Sequence, residues 1–303
     1  MRTLTNQQYK DLYRREKDAM YATIGRHAEL TSRLEMTHAQ FMRDAEAVIL
    51  AYFMLMKDRR MSAIAGGPEV LDLPMILALN DMLEEFEGSR PIKIPRRRVK
   101  HRDRLMNEME ILVVKMLLEE HDMIMDYAED EIEREQLRFG AVYQTFGKLL
   151  WNRLSPSDID NILAEGYQGM AMSGRFWAQS GHRDYLMKQM KKTVRALELD
   201  IDTNIESLQP RLQKLFQSNA SIVTSIALTE MSRVQTGTRT VLYDKNKVTR
   251  YRFVTELDGR VCDVCSSLDG QVFFTSEREE GVNAPLMHFR CRCTDYPVEV
   301  NID

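Results

Sequence analysis

The chain has 303 residues with 44% hydrophobic and 29% charged residues, enough to bury a sizeable core and to fill two or three structural units. Its formal charge of −4 is too mild to mark a general polyanion binder. No apolar run approaches the 18 residues of a membrane span; the longest, Val48 to Met56, reads as amphipathic.

Most of residues 1–235 reads as helix. Tyr13, Met20, Ile24, Leu34, Phe41, Ala45, Val48, Tyr52 and Leu55 form a roughly heptad apolar stripe, interrupted by His27, Thr31 and His38. The stripe predicts a long helix or a helical hairpin whose packing face is weakened at the polar positions. Gly66-Gly67-Pro68 is expected to end this unit, and a shorter helix is expected over Leu73 to Phe86.

A loop over 88–104 follows, and it carries the strongest local charge of the chain. Between Arg90 and Arg104 stand eight basic side chains (Arg90, Lys93, Arg96, Arg97, Arg98, Lys100, Arg102, Arg104) against one acid, Asp103. Arg96, Arg97, Arg98, Lys100 and Arg102 are therefore candidates for contact with DNA phosphates or an acidic partner. Pro91 and Pro95 disfavour a continuous helix reading bases there, and the competing explanation is a merely solvated loop or its pairing with the acid-rich stretch Glu119 to Glu135.

Residues 102–150 have few breakers and many helix formers, predicting a second long helix with a kink at Gly140. Ser155-Pro156-Ser157-Asp158 opens a new helix, with proline at a position where its missing amide costs nothing. Gly181-His182 separates it from a helix over Tyr185 to Ala196. A helix over Pro210 to Phe216 is expected next, then another begun by Ser218-Asn219-Ala220 and carrying Thr229-Glu230. The twenty methionines are read as core filler.

The last part of the chain changes character. Val248 to Thr255 alternates as a strand, with Tyr251, Phe253 and Thr255 on one face. Leu257-Asp258-Gly259 and Leu268-Asp269-Gly270 repeat one turn tripeptide, the second leading into a strand at Gln271 to Phe274. All four cysteines lie here, as Cys262-x2-Cys265 and Cys291-x-Cys293, with His288 three residues before Cys291. The C-x2-C spacing lets two sulfurs face one ion about 2.3 Å away, and His288-x2-Cys291 repeats it with a nitrogen donor. Five candidate ligands, Cys262, Cys265, His288, Cys291 and Cys293, compete for four tetrahedral positions. Two sets stay open, one with His288 and one made of the four cysteines. The absence of a signal peptide predicts a reducing compartment, where thiols persist. Arg260, Arg290 and Arg292 flank the ligands and favour thiolates.

These readings give a mainly α fold: long N-terminal and central helices with a small C-terminal α+β zinc-knuckle-like module. The expected regions are 1–150, helical with the basic loop; 151–240, helical; and 241–303, the β-containing Cys/His module. Structural zinc is the expected cofactor, because so small a module has too few apolar residues to fold securely alone. Asp258, Asp263 and Asp269 lie near the cysteines, but no H-E-x-x-H, G-x-S-x-G, P-loop or paired acid/base motif accompanies them, so no catalytic residues are expected.

The run Arg252 to Phe273, with Leu257-Asp-Gly-Arg-Val-Cys262-Asp-Val-Cys265 and Leu268-Asp-Gly270, followed by Asn283-Ala-Pro285-Leu-Met-His288-Phe-Arg-Cys291-Arg-Cys293, resembles the C-terminal signature of phage minor head proteins. These are the Mu F-like head morphogenesis proteins, including the SPP1 minor capsid type. The resemblance covers about residues 220–298. Two positions depart from it: Ala227-Leu228-Thr229-Glu230 lacks the arginine of an Arg-Thr-Glu helix, and Phe289 stands where proline often follows the histidine. The resemblance implies a minor capsid and morphogenesis protein of the virion interior, made in the host cytoplasm. Its implied partners are the portal protein, capsid or scaffolding proteins and packaged double-stranded DNA. The alternative is a metal-dependent nuclease or other hydrolase acting on DNA.

Overall fold

The computed structural model describes residues 2–57, 73–94, 101–147, 150–167, 170–178, 181–198, 205–255 and 260–301. In chain order these form β1 (Arg2–Thr3), α1 (Asn6–Lys57), α2 (Leu73–Glu84), α3 (His101–Gln144), α4 (Pro156–Ala164), α5 (Met172–Trp177), α6 (His182–Glu198) and α7 (Ile205–Lys245). Then come β2 (Val248–Val254), α8 (Asp263–Leu268), β3 (Val272–Phe274) and β4 (Thr294–Val300). The mainly α architecture with a small C-terminal α+β module is the one expected.

Two compact units emerge, each assembled from separated stretches of sequence. The first comprises Met1–Thr31, Ile124–Gly169 and Thr224–Asp303, and the second Ser32–Met123 and Met170–Val223. The regions 1–150, 151–240 and 241–303 divide the sequence, whereas the units follow spatial proximity, so α1, α3 and α7 each contribute a segment to both.

α1 is one helix of 52 residues, so the long-helix reading holds over the hairpin. Its buried positions include Leu12, Glu16, Met20, His27, Leu30, Leu34, His38, Phe41, Ala45, Ile49 and Tyr52, a spacing of threes and fours apart from the two-turn step between Met20 and His27. His27 and His38 thus belong to the buried stripe instead of interrupting it. In the second unit, His38 Nδ1 lies 3.2 Å from the Leu34 carbonyl and 2.6 Å from Glu120 Oε1, while Asn219 Nδ2 lies 2.8 Å from His38 Nε2. A protonated Nδ1 and a bare Nε2 satisfy all three contacts, which is how a polar side chain becomes tolerable in that core.

The helix starting at Ser155 is confirmed in detail. The Ser155 hydroxyl accepts from Asp158 N at 3.3 Å, the Asp158 carboxylate accepts from Ser155 N at 2.6 Å, and Pro156 follows the cap. Two other expectations are corrected. The single helix foreseen from Pro156 toward Gly181 is interrupted, α4 ending at Ala164 and α5 beginning at Met172. α7 runs unbroken through Pro210 and through Ser218-Asn219-Ala220. Pro210 lies near the start of α7, where the loss is the one amide bond to the carbonyl four residues back. Asn219 spends its side chain on His38 and not on a cap.

Gly140 does not end α3, which continues to Gln144. Its role is room: a Cβ there would stand 2.5 Å from Trp151 Nε1 and 2.6 Å from Cε2 of the same ring. Gly140→Ala is expected to displace the indole and to destabilise the protein by about 1–3 kcal/mol despite the better helix propensity of alanine. Chemical denaturation reads this directly; an equal or raised midpoint would refute it.

The sheet has the order β1-β4-β2-β3, with antiparallel neighbours throughout. β1 pairs Arg2 with Val300 and Thr3 with Glu299, so the two ends of the described chain lie on adjacent strands. β4 is buried along its whole length. The expected face of β2 is realised, since Tyr251, Phe253 and Thr255 are fully buried. Of the paired turns, Leu257-Asp258-Gly259 lies outside the described residues, as does Gly66-Gly67-Pro68. Gly270 takes φ +76, which a side chain would resist, and its amide bonds to the Phe253 carbonyl at 2.9 Å. Asp269 is structural, its Oδ1 accepting from Thr255 N at 2.7 Å.

Candidate metal centre

Two short segments of the first unit carry the five sequence-predicted donors to one place. Cys262 caps the N-terminus of α8, where a turn between the cysteines was expected, and its sulfur accepts from Cys265 N at 3.4 Å. The helical turn itself sets the two sulfurs on one side. The second segment repeats the device, because Cys291 N donates to the His288 carbonyl at 3.0 Å and Arg290 takes φ +58 to close the turn. Cys293 follows directly before β4.

The donor atoms fall into two groups, each within 4.8 Å: Cys262, Cys265 and His288, and Cys265, Cys291 and Cys293. Cys265 is common to both. His288 Nε2 lies 3.3 Å from Cys262 Sγ and 3.5 Å from Cys265 Sγ. A tetrahedral ion with Zn–S near 2.3 Å and Zn–N near 2.05 Å requires an S···N edge of about 3.5 Å, so these separations fit one ion. His288 Nδ1 is 2.8 Å from the Phe289 carbonyl, which fixes the proton on Nδ1 and leaves the Nε2 lone pair toward the sulfurs.

The electrostatics have the same sense. A hydrogen bond from the Cys265 amide, with those to Cys265 Sγ and His288, outweighs burial and lowers the Cys262 pKa. Among the buried thiols, hydrogen bonds from Cys265 and then Cys293 hold Cys291 strongly toward the thiolate, while Cys265 and Cys293 are pushed upward as its donors. Crowding of the three sulfurs thus favours one thiolate over several, whereas a divalent ion would favour every ligand thiol as thiolate. For His288, burial alone would lower the pKa, but the Phe289 carbonyl and the Cys291 and Cys262 sulfurs raise it.

The core around the donors is small: Phe253, Cys265, Leu286, Cys291 and Cys293, with Tyr167, Val261, Leu268, Phe273 and Met287 packed against it. Three of its five fully enclosed members are cysteines, so a metal would supply folding energy that apolar area here does not.

A support absent from the sequence reading comes from α7. Ser232 Oγ donates to the Cys291 carbonyl at 2.6 Å, Thr229 Oγ1 accepts from Arg290 N at 3.2 Å, and Ser225 Oγ accepts from Arg290 Nε at 2.6 Å. Positions 225, 229 and 232 share one helix face, and that spacing is the only signal the sequence offers. The two departures also find a place. Glu230 Oε2 takes its arginine from within α7, accepting from Arg233 Nε at 2.6 Å, and the Phe289 ring packs edge-on against Tyr167 at 4.9 Å.

The basic candidates divide differently. Arg96, Arg97, Arg98 and Lys100 lie outside the described residues. Arg102 stands in the first turn of α3, partly exposed, with its Nε 3.9 Å from Asp103 Oδ1.

Residues 191–295, which include every donor and the α7 support, match the family model of phage Mu protein F like proteins. Over that segment the chain is similar to the Mu F-like family. The resemblance noted in the cysteine module agrees with this match. Neither the curated proteins nor the solved structures contain a significant match to the chain. No described helix is long and apolar enough to cross a membrane.

Proposed function

We propose that this chain is a minor capsid and head morphogenesis protein of the virion interior, bound to the portal and assembled in the host cytoplasm, with a structural role and no catalytic one. The observation that carries the proposal is the convergence of Cys262, Cys265, His288, Cys291 and Cys293 within the Mu F-like segment. Zinc is the ion the donor set suits best, since sulfur and imidazole donors at tetrahedral separations are its ordinary environment. The ligands in this reading are Cys262, Cys265, His288 and Cys291. Cys291 and Cys293 are both grouped with Cys265 and not with Cys262 or His288; Cys291 is preferred because its sulfur, with that of Cys262, is the one that acts on the His288 ring. Ligation by four protein groups leaves no open coordination position for substrate, which favours a structural site over the nuclease alternative.

The finer reading adds packaged DNA. Arg96, Arg97, Arg98, Lys100 and Arg102 would neutralise backbone phosphates during packaging or delivery, in a segment with one acid among its eight basic residues between Arg90 and Arg104. The experiment is to locate the chain. Quantitative mass spectrometry of purified heads, with cross-linking, should find it inside the particle and linked to the portal protein. Recovery of the whole pool as free protein, or metal-dependent DNA cleavage abolished in His288→Ala, would overturn the proposal.

A further inference from the structure

α6 is amphipathic in an uncommon way. Its inner face, His182, Arg183, Leu186, Met190 and Val194, is buried in the second unit. Its outer face presents Lys188, Lys191, Lys192 and Arg195, all exposed. Along a helix these four are mutual neighbours at i+3 and i+4: 188 with 191 and 192, and 195 with 191 and 192. Each such like-charge pair destabilises an isolated helix. None of the four makes an ion pair or hydrogen bond among the described residues. The acid at i−4 of Lys188 is Asp184, and it is engaged by Arg90 Nη2 at 2.9 Å. Beyond Arg195 the sequence offers Glu198, three residues on, but Lys191 and Lys192 have only cations or uncharged residues at three and four positions either way. A helix that accumulates repulsion on one exposed face sets local stability against something else, and an external anion is what would reverse the sign.

We infer that this face of α6 is a docking surface for the phosphate backbone of double-stranded DNA. From Lys188 to Arg195 the helix advances about 10 Å, a length over which one DNA strand presents about three phosphates. The face has no apolar anchor. Among the described side chains of α6 none is an exposed large hydrophobic, whereas a protein partner ordinarily needs a buried aromatic or aliphatic centre. A bilayer surface would require apolar side chains to enter it, and Leu186, Met190 and Val194 of α6 are buried in the protein core. The stripe also lacks the asparagine and aromatic residues that read base edges or stack on single strands, and Gln189 is half-buried. Binding is therefore independent of sequence and sensitive to salt. The inference rests on the geometry of α6 and holds whether or not the segment 96–102 also touches DNA.

The test is fluorescence anisotropy of the full chain with a random-sequence duplex of about 30 base pairs, repeated across a salt series. Changing Lys188, Lys191, Lys192 and Arg195 together to Gln should weaken binding at least about tenfold near 0.1 M salt and reduce the slope of log K against log salt by about 3, at up to about 0.9 for each phosphate no longer neutralised. The change removes four repulsive pairs, so an unaltered or raised thermal midpoint is expected and distinguishes weakened DNA binding from unfolding. Lys188→Arg, Lys191→Arg and Lys192→Arg together should retain both affinity and slope. The inference is overturned if the wild-type chain does not bind the duplex, or if the Gln variant keeps its affinity and slope while Arg96→Gln, Arg97→Gln and Arg98→Gln lose theirs. It is equally overturned if polyglutamate binds the wild-type chain as tightly as DNA does per unit charge, which would make the partner an acidic protein.

Discussion

Replacing Cys265 by Ser is expected to cost the protein its metal and the fold of its C-terminal module together. Cys265 is the donor shared by both groups and is buried at 1% exposure, so no other side chain can take its position. The wild-type chain should carry close to one zinc, and the variant close to none, by elemental analysis of dialysed protein. Structural zinc is worth on the order of 10 kcal/mol in small modules, and the apolar core here is too slight to make up such a loss. Amide hydrogen exchange should therefore lose its protection over β2, α8 and β3 and over residues 286–293. A strong chelator should reproduce the effect on wild-type protein. The ligand set separates in the same assay: Cys293→Ser should retain the ion, and His288→Ala should lose it. The reverse pattern would assign the site to the four cysteines. Zinc-free wild-type protein with all thiols freely reactive would remove the metal altogether.

The module could be read from sequence because its signals are local. A two-residue gap between cysteines fixes a turn, and alternation at Tyr251, Phe253 and Thr255 fixes a strand face, each within a few residues. The capping box at Ser155 is local in the same sense. What escaped the sequence was set at long range. β1 exists only because Arg2 and Thr3 meet Glu299 and Val300, and two residues have no period of their own. His27 and His38 look like flaws in an apolar stripe until Glu120 and Asn219 are brought to His38. Ser218-Asn219-Ala220 reads as a helix start because asparagine caps helices well, and the tertiary contact of Asn219 overrides that preference. The choice of four among five donors is open in the sequence for a related reason: spacing alone does not say which sulfurs lie beside His288, as those of Cys262 and Cys265 do.

The second large effect is expected at Arg239, in the buried ionic network that ties α3, α7 and β4 together in the first unit. Arg239 Nε and Nη2 grip Glu135 Oε1 and Oε2 at 2.6 and 2.9 Å, a two-pronged contact with both residues nearly inaccessible. Arg138 Nη1 adds a third bond to Glu135 at 3.2 Å and reaches Glu16 Oε2 through Nε at 2.7 Å. Across the sheet, Asp295 is bonded by Tyr243 Oη at 3.0 Å and by Arg278, with Arg239 Nη1 at 3.9 Å. Arg239→Leu would leave Glu135 buried with half its compensation, at a cost of about 3–5 kcal/mol. Arg239→Leu combined with Glu135→Leu should recover most of that loss, because no orphaned charge remains. The pH dependence has a defined sign. Burial alone would raise the Glu135 pKa, but Arg138 and Arg239 overcome it and hold the carboxyl below its ordinary 4.5. The associated stability is therefore complete above that value and is lost as pH falls through the depressed one. In Arg239→Leu the opposing burial effect is less restrained, so the acid transition should begin at a higher pH. Urea midpoints measured from pH 7 down to pH 3 for the three proteins would check both claims. A single variant that matches the wild type across that range would show that Arg138 alone suffices to hold Glu135.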